Sequence, residues 1–431
     1  MLGGILFGIL LLNDFNLFAS FEALYTLFIS LLSKAWILKT LGFAILVGSI
    51  MALIQKSGGI GGFVDFMLHK IKLVRSQRSA LMLSYAIGIF IFIESSITSL
   101  IAGAVGKPFC DKYKIPYAKL AFVCDSTSAP VSSLIVLNGW GALLLGLIST
   151  QIISYSLDID AVSLLIDSVL HNFYAMSALV VTFIFVWFDI EIGLMKKVKY
   201  KAVSDEVVYK NVQSMYYMLI PIVLMVLFVF VFLYISGDGN ILKGSGSTSI
   251  FYTVLTTLIF MFFYYKKTKN MSTSVWFKTA LRGAKHLFPI AMILLFAFGI
   301  GEVTTKLKVG EFLASLANSN LDIHLVAPMI FLLASVISFS TGTSWGTFSI
   351  MIPIAMPMAI SMDADLALCV GAVISGGIFG DHCSPISDTT IISSMASECD
   401  VVEHVNTQLP YALLSAFISF LLFFVFGFNI S

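Results

Sequence analysis

Long apolar runs separated by short polar segments fill most of the chain. Six runs are long enough to cross a bilayer, which takes about 20 residues in a helix; they lie at about 35–55, 173–189, 213–235, 249–265, 287–305 and 407–428. Leu2–Leu12 is short for a span and predicts a tilted or abbreviated helix. Residues 17–33 fit either a second span or an interfacial helix. The pattern predicts an all-α polytopic membrane protein.

Two further apolar regions in the first half are interrupted by polar residues. Region 79–106 is broken around Glu94 and Thr98 and is too short for two full crossings. Region 117–149 is broken at 124–130, where Ser/Thr residues and Pro130 disturb the helical hydrogen bonds. Irregular backbone at membrane depth is kept only where protein or a water-filled cavity surrounds it. We therefore expect a re-entrant hairpin followed by a broken transmembrane helix.

The second half repeats this order. One apolar run is broken at 340–347, a second run at 364–396 is broken at 381–385, and a closing span follows. Asp125 and Pro130 of the first half correspond to Asp381 and Pro385 of the second. The sequence thus predicts a second re-entrant hairpin and a second broken helix.

The distribution of charge predicts how the two halves are oriented. Charged residues make up 11% of the chain, against roughly 25% in soluble domains, and hydrophobic residues 58%. Twenty of the 25 Lys and Arg lie in four segments that the positive-inside rule places in the cytoplasm, namely 56–78, 107–119, 196–210 and 266–285. The flanks of the second hairpin, 318–323 and 361–365, carry acids without Lys or Arg and are expected outside. The hairpins would then enter from opposite sides, which is an inverted-topology repeat.

Four segments follow from this interpretation. They are an N-terminal short helix and candidate interfacial helix (1–34), a first transporter repeat (35–190), connecting basic loops with two transmembrane helices (191–286), and a second, inverted repeat (287–431). The five scattered cysteines predict reduced thiols rather than a disulfide framework. The N-terminus shows no cleavable signal pattern, and no basic patch predicts binding to nucleic acid.

The polar breaks contain the ligands that hard cations prefer, which are carboxylate, hydroxyl and backbone carbonyl oxygens. An ionised carboxylate at the bilayer centre costs about 2.5–3.5 kcal/mol on insertion scales, so acids there are kept for a task. We expect these residues to bind substrate or ions: Asp381, Asp388, Asp125, Glu94, Thr98, Ser128, Thr343, Ser344, Ser384, Ser387, Thr389 and His382. The candidate Na⁺ ligands are Asp125, Asp381, Asp388 and Ser384.

Each of these residues also has a structural interpretation. A Ser or Thr hydroxyl in a membrane helix commonly bonds to its own backbone, and Glu94 or Asp125 would serve equally to hold exposed amides. His382 fits a proton acceptor or a donor that ties the break to a neighbouring helix. An enzymatic centre of Asp381, His382 and Cys383 is the remaining alternative. Consecutive helical residues point about 100° apart and no oxyanion element is visible, so we expect no catalysis.

Several motifs resemble those of a known family. Residues 378–391, with Gly380-Asp381-His382-Cys383-Ser384-Pro385 at their centre, resemble the signature of the NhaC-type Na⁺/H⁺ antiporter family. Segments 342–353, 404–411 and 125–130 extend the similarity. The chain departs from the family's pattern at the first hairpin tip, where Glu94-Ser95 stands in place of two adjacent aspartates.

The resemblance implies the inverted-repeat fold of an ion-transporter superfamily and an exchange of cytoplasmic Na⁺ for external H⁺ by alternating access. The alternative is a Na⁺-coupled carrier or exchanger of a small organic metabolite, since relatives include carriers of organic acids. The expected partners are the bilayer of a bacterial cytoplasmic membrane, Na⁺ and H⁺, with an organic substrate under the alternative. We expect no cofactor, and the sequence leaves open whether the protein acts as a monomer or a homodimer.

Overall fold

A computed structural model describes residues 2–70, 74–92, 95–136, 138–201, 212–239, 244–308, 312 and 322–429. Within these residues the regular structure is helical. Eight helices are long and apolar enough to cross a membrane, or up to nine when a bent pair is counted as one span. The protein is therefore a multi-pass, all-helical membrane protein, as the hydrophobic pattern predicts.

The helices of the described residues are numbered in chain order. Those before the second repeat are α1 Leu2–Leu12, α2 Leu17–Ser33, α3 Ala35–Ser57, α4 Gly59–Lys70, α5 Gln77–Phe90, α6 Ser95–Tyr113, α7 Tyr117–Ser126, α8 Ala129–Leu134, α9 Gly139–Ser154, α10 Ala161–Leu170, α11 Phe173–Phe188, α12 Tyr216–Ser236, α13 Gly246–Lys267 and α14 Thr273–Lys306. The others are α15 Val326–Thr341, α16 Ser344–Ser361, α17 Leu366–Cys383, α18 Asp388–Ser397 and α19 Val401–Asn429. Short 3₁₀ helices lie at Gly193–Lys197 and Ile323–Leu325.

The first half contains the expected pair of packed helices followed by a broken helix. Helices α5 and α6 pack against each other as two arms of a hairpin. Helix α7 ends at Ser126, and α8 restarts at Ala129 with a proline in its first turn, where no backbone donor is needed. The run through α7 and α8 meets α9 at an angle of 43°. Asn138 starts α9 by accepting hydrogen bonds from the amides of Trp140 and Gly141.

The second half has the same order of elements. Arms α15 and α16 are joined at Gly342, whose φ of +65° suits a residue without a Cβ. The hydroxyl of Thr343 then caps α16. Helix α17 ends at Cys383, and α18 restarts behind Ser387, whose hydroxyl accepts from the amide of Thr390. Both predicted helix breaks are present.

The two halves interlock through these elements. Helix α18 of the second half packs against α6 and α7 of the first. The contact is close, because a Cβ built on Gly103 of α6 would lie 2.7 Å from the Cβ of Ala396. The halves also meet where Trp140 of α9 packs edge-on against Trp345 and Phe348 of α16. Neither half forms its part of the interior alone.

Two helices extend further than the sequence pattern predicts. Helix α14 begins at Thr273, so the basic segment before the expected span at 287–305 is helical and continuous with it. Helix α19 begins at Val401 rather than near 407. Its first turns carry polar residues, but His404, Thr407 and Gln408 are buried against other helices, so they belong to the packed span.

Ion pairs involve two lysines of the segment 107–119, which the charge pattern predicts to be cytoplasmic. Lys119 near the start of α7 lies 3.1 Å from Asp189 and 2.5 Å from Glu191. Lys107 of α6 pairs with Glu398, which ends α18. Each pair links a helix of the first half to a residue at or beyond the end of another helix.

Candidate functional site

Asp125 lies at the end of α7 and is fully buried. Its Oδ1 accepts from the Ser393 hydroxyl at 3.3 Å. Its Oδ2 lies 2.8 Å from Gln408 Nε2, 3.2 Å from His404 Nε2 and 3.3 Å from Thr390 Oγ1. These donors come from α18 and α19, so a carboxylate of the first half is held by the second half.

Asp381 lies in the last turn of α17 and is 2% exposed. Ser344, the first residue of α16, donates to its Oδ2, and Ser387 donates to its Oδ1 at 2.6 Å. The Ser387 hydroxyl also lies 3.0 Å from that of Thr389. The carboxylate therefore faces hydroxyl oxygens that have lone pairs to offer a cation.

His382 links the two helix breaks. Its Nδ1 lies 2.7 Å from the hydroxyl of Tyr174 on α11, and its Nε2 lies 3.2 Å from Ser126 Oγ. The same Nε2 is 3.9 Å from Asp125 Oδ2. This arrangement fits the interpretation of His382 as a residue that ties the break to neighbouring helices.

One hydrogen-bond network joins the two acids. Thr390 Oγ1 contacts Asp125 Oδ2 and lies 3.5 Å from the backbone oxygen of Asp381. Gln408 Nε2 donates to Asp125 Oδ2 and to the backbone oxygen of His382. The carboxyl-terminal ends of α7 and α17, which carry partial negative charge, meet at this network. The amino-terminal ends of α16 and α18, which carry partial positive charge, lie beside Asp381.

The remaining predicted hydroxyls hold backbone in place. Ser384 Oγ donates to the Phe339 oxygen at 2.9 Å and ties the second break to its hairpin. Ser128 Oγ donates to the Asp125 oxygen at 2.9 Å within the first break. Thr98 Oγ1 donates to the Ile91 oxygen across the first hairpin tip. Thr343 accepts from the Gly346 amide as the cap of α16. Their predicted role in ion binding stays a prediction.

Two predicted residues are only partly placed or not placed. Glu94 lies outside the described residues. Asp388 is the first residue of α18, beside the caps of that helix, but its side chain is not among those described. The proposed involvement of both acids stays a prediction.

Several residues of the network were not predicted as site residues, namely Tyr174, Thr390, Ser393, His404 and Gln408. For the last two, the sequence carried a usable signal. His404 and Gln408 are four residues apart and so lie on one face of a helix. Starting the closing span near 407 placed His404 outside the membrane helix and hid this pairing.

The sequence model of the Na⁺/H⁺ antiporter family matches residues 138–428, which is more than half of the chain and includes the second break and α19. The chain belongs to the Na⁺/H⁺ antiporter family. The resemblance to NhaC-type antiporters is thereby confirmed. One similar protein matches almost the whole chain, and others match about a quarter of it.

An uncharacterized protein of Haemophilus influenzae is 30% identical over 99% of this chain and 86% of its own length. The malate-2H⁺/Na⁺-lactate antiporter of Bacillus subtilis is 38% identical over 25% of this chain and 24% of its own length. The YdaH transporter of Alcanivorax borkumensis, a crystal structure of unusual topology, has a TM-score of 0.60 at 14% identity, over 93% of this chain and 89% of that one. This last likeness shows the fold alone.

Proposed function

We propose that the protein is a secondary active transporter that exchanges cytoplasmic Na⁺ for external H⁺ across a bacterial cytoplasmic membrane by alternating access. The observation that carries this proposal is a hydrogen-bond network at the breaks of two helices from different halves. Through Thr390 it links two buried aspartates, Asp125 by its carboxylate and Asp381 by its backbone oxygen. Broken helices that meet inside the membrane are the usual place of ion binding in such transporters. Membership of the antiporter family supports the same reaction.

The cation in this proposal binds around Asp381 and Asp388, and Asp125 is the second acid of the centre. Ser344 and Ser387 now donate to Asp381. A hydroxyl rotates at little cost, so both groups can turn their lone pairs toward a Na⁺ that neutralises the carboxylate. A proton on the same carboxylate removes the attraction for Na⁺, and the two ions then exclude each other as exchange requires.

The geometry supports transport rather than catalysis. Asp381, His382 and Cys383 follow one another on α17 and engage different partners: Asp381 contacts Ser344, and His382 contacts Tyr174. Asp381 and His382 therefore turn toward different helices, α16 and α11.

Everted membrane vesicles that report internal acidification test the proposal. A Na⁺ pulse is expected to release protons from vesicles that carry the wild-type protein, and Asp381→Asn is expected to lower the response about tenfold or more, because a lost charged contact costs about 1.5–3 kcal/mol. Asp158→Asn makes the same change at an exposed residue and is expected to leave the response intact. Full activity of Asp381→Asn would refute the proposed role of this acid.

The alternative is a Na⁺-coupled carrier or exchanger of a small organic acid. It is favoured by the similarity to a relative named as a malate-2H⁺/Na⁺-lactate antiporter. The same vesicles distinguish the two functions when malate or lactate is added with the Na⁺ pulse. A response that needs the organic acid, with none to Na⁺ alone, would favour the alternative.

A further inference from the structure

Gln408 of α19 has an unusual pattern of contacts. The residue is fully buried between the two helix breaks. Both of its amide hydrogens have an acceptor, since Nε2 donates to Asp125 Oδ2 at 2.8 Å and to the backbone oxygen of His382. Its Oε1 has no hydrogen-bond partner among the described residues. Leaving a buried acceptor without a partner is unfavourable, so this oxygen calls for an explanation.

The orientation of this amide is determined by its neighbours. Exchanging Oε1 and Nε2 would point an oxygen at the Asp125 carboxylate and at the His382 carbonyl, so that three acceptors would face one another. Only the arrangement with nitrogen toward these two groups is electrostatically acceptable. The unpartnered atom at the centre is therefore an amide oxygen.

The Oδ2 atom of Asp125 is surrounded by hydrogen-bond donors. Its carboxylate already accepts from four groups, those of Thr390, Ser393, His404 and Gln408. Three of these donors contact Oδ2, which has two lone-pair positions, and one contacts Oδ1. The amide that donates to this Oδ2 also carries the unpartnered Oε1 of Gln408.

Amide and backbone carbonyl oxygens are preferred ligands of hard cations. From these observations we propose that Gln408 Oε1 is a ligand of the transported Na⁺, in addition to the carboxylate and hydroxyl groups around Asp381. The inference rests on the proposed exchange of Na⁺. Gln408 binds the His382 backbone oxygen, directly after Asp381 in α17, and so places an oxygen ligand of α19 next to the acid-bearing end of that helix.

The role explains why one residue contacts both breaks. Its nitrogen holds Asp125 of the first half, and its oxygen coordinates a cation that Asp381 of the second half attracts. Binding of a cation at Oε1 is then coupled to the Asp125 carboxylate through a single rigid amide group. Unlike a carboxylate, this ligand adds no further negative charge to the centre.

The test measures how Na⁺ raises the melting temperature of the purified full-length protein, with choline chloride holding ionic strength constant. Gln408→Met keeps the length of the side chain but removes its oxygen. The half-saturating Na⁺ concentration is expected to rise about tenfold or more, and the ratio of the Na⁺ and Li⁺ responses is expected to change. Gln151→Met is the matched control, because Gln151 is a buried glutamine of α9 that also has an unpartnered Oε1 among the described residues.

A purely structural role of Gln408 predicts something different. Gln408→Met would then lower the melting temperature in choline chloride but leave the half-saturating Na⁺ concentration at the wild-type value. That result would overturn the proposed role of Gln408 as a Na⁺ ligand. If Gln408→Met does not fold, Gln408→Asn, which retracts the amide by one methylene, is expected to show the same loss of Na⁺ affinity. A wild-type protein that does not respond to Na⁺ would overturn the proposed function itself, whereas an unchanged Na⁺ response in the variants would overturn only this inference.

Discussion

At the scale of single residues, the centre contains buried acids that accept hydrogen bonds from neutral groups able to exchange partners. Asp381 accepts from the hydroxyls of Ser344 and Ser387, and Asp125 accepts from the amide of Gln408. A hydroxyl or an amide satisfies a carboxylate in the absence of an ion and can still yield to one. The residue types at the breaks thus suit a site that is repeatedly filled and emptied.

A glycine at the second hairpin tip is required by backbone conformation and by space. Gly342 has a φ of +65°, and a Cβ there would lie 2.7 Å from the Ile386 side chain and 3.0 Å from its backbone. Gly342→Ala is expected to lower stability by at least about 1–2 kcal/mol, the cost of a left-handed residue with a Cβ. Thermal melting in detergent measures the effect.

The control for this change is Gly146→Ala on α9, where a Cβ would make only ordinary contacts at 3.6 Å or more. This substitution is expected to be neutral or stabilising, because alanine favours a helix over glycine by roughly 0.5–1 kcal/mol. Equal melting temperatures for Gly342→Ala and the wild type would contradict the tip conformation.

The acids of the site could be predicted from the sequence, and most of their partners could not. Asp125 and Asp381 stand out because a charge inside an apolar run is costly. Whether a neighbouring hydroxyl faces the acid or the backbone depends on local geometry: Ser387 contacts Asp381, whereas Ser384 contacts the backbone of Phe339. His404 lies far along the chain from Asp125 and meets it only through helix packing.

At the scale of elements, the short helices around the breaks start at polar residues whose side chains accept hydrogen bonds from the free backbone amides. Ser387 caps α18 and Asn138 caps α9. Asn138 also donates to the Phe92 oxygen at 3.0 Å, which fixes the first hairpin tip beside the first break. Ser384 makes the equivalent link in the second half through Phe339. The α8–α9 junction and the second break are therefore each attached to the hairpin of their own repeat.

An ion pair joins α18, the helix after the second break, to α6 of the first hairpin. Lys107 on α6 pairs with Glu398 at the end of α18, with side-chain exposures of 10% and 15%. Lys107→Glu is expected to cost about 1.5–3 kcal/mol, the range for hydrogen bonds to charged groups. The swap of Lys107→Glu with Glu398→Lys is expected to recover part of this loss, as a double-mutant cycle on melting temperatures would measure.

Lys112→Glu serves as the control for the swap, since Lys112 is exposed on the same helix α6 and an exposed charge contributes little. Strictly additive effects of the two single changes at 107 and 398 would show that Lys107 and Glu398 do not form an ion pair between α6 and α18.

At the scale of the whole molecule, the order of elements could be predicted and their packing could not. Apolar run lengths and the positions of Lys and Arg indicated two repeats with breaks near Asp125 and Asp381, and both breaks are present. That α18 would pack on α6 and α7, and not on its own hairpin alone, depends on the fit of small residues such as Gly103 against Ala396. The opposite orientation of the two halves in the bilayer stays a prediction from charge.

If the two breaks form one centre between the halves, a disulfide cross-link should join helices of the two halves beside Asp125. Ser99 on α6 and Ser393 on α18 are buried with their hydroxyl oxygens 3.0 Å apart, and Ser393 also contacts Asp125. Cysteines at both positions, in a Cys124→Ala background because Cys124 lies beside Ser99, are expected to form a disulfide in membranes treated with a diffusible oxidant.

Mass spectrometry of the digested protein is expected to find the 99–393 linked peptide, and the cross-linked protein is expected to lose Na⁺-dependent proton movement until it is reduced. A Ser99→Cys and Ser335→Cys pair, with the second cysteine on α15, controls for random collision. A folded double-cysteine protein that yields no linked peptide between 99 and 393 would contradict the shared centre.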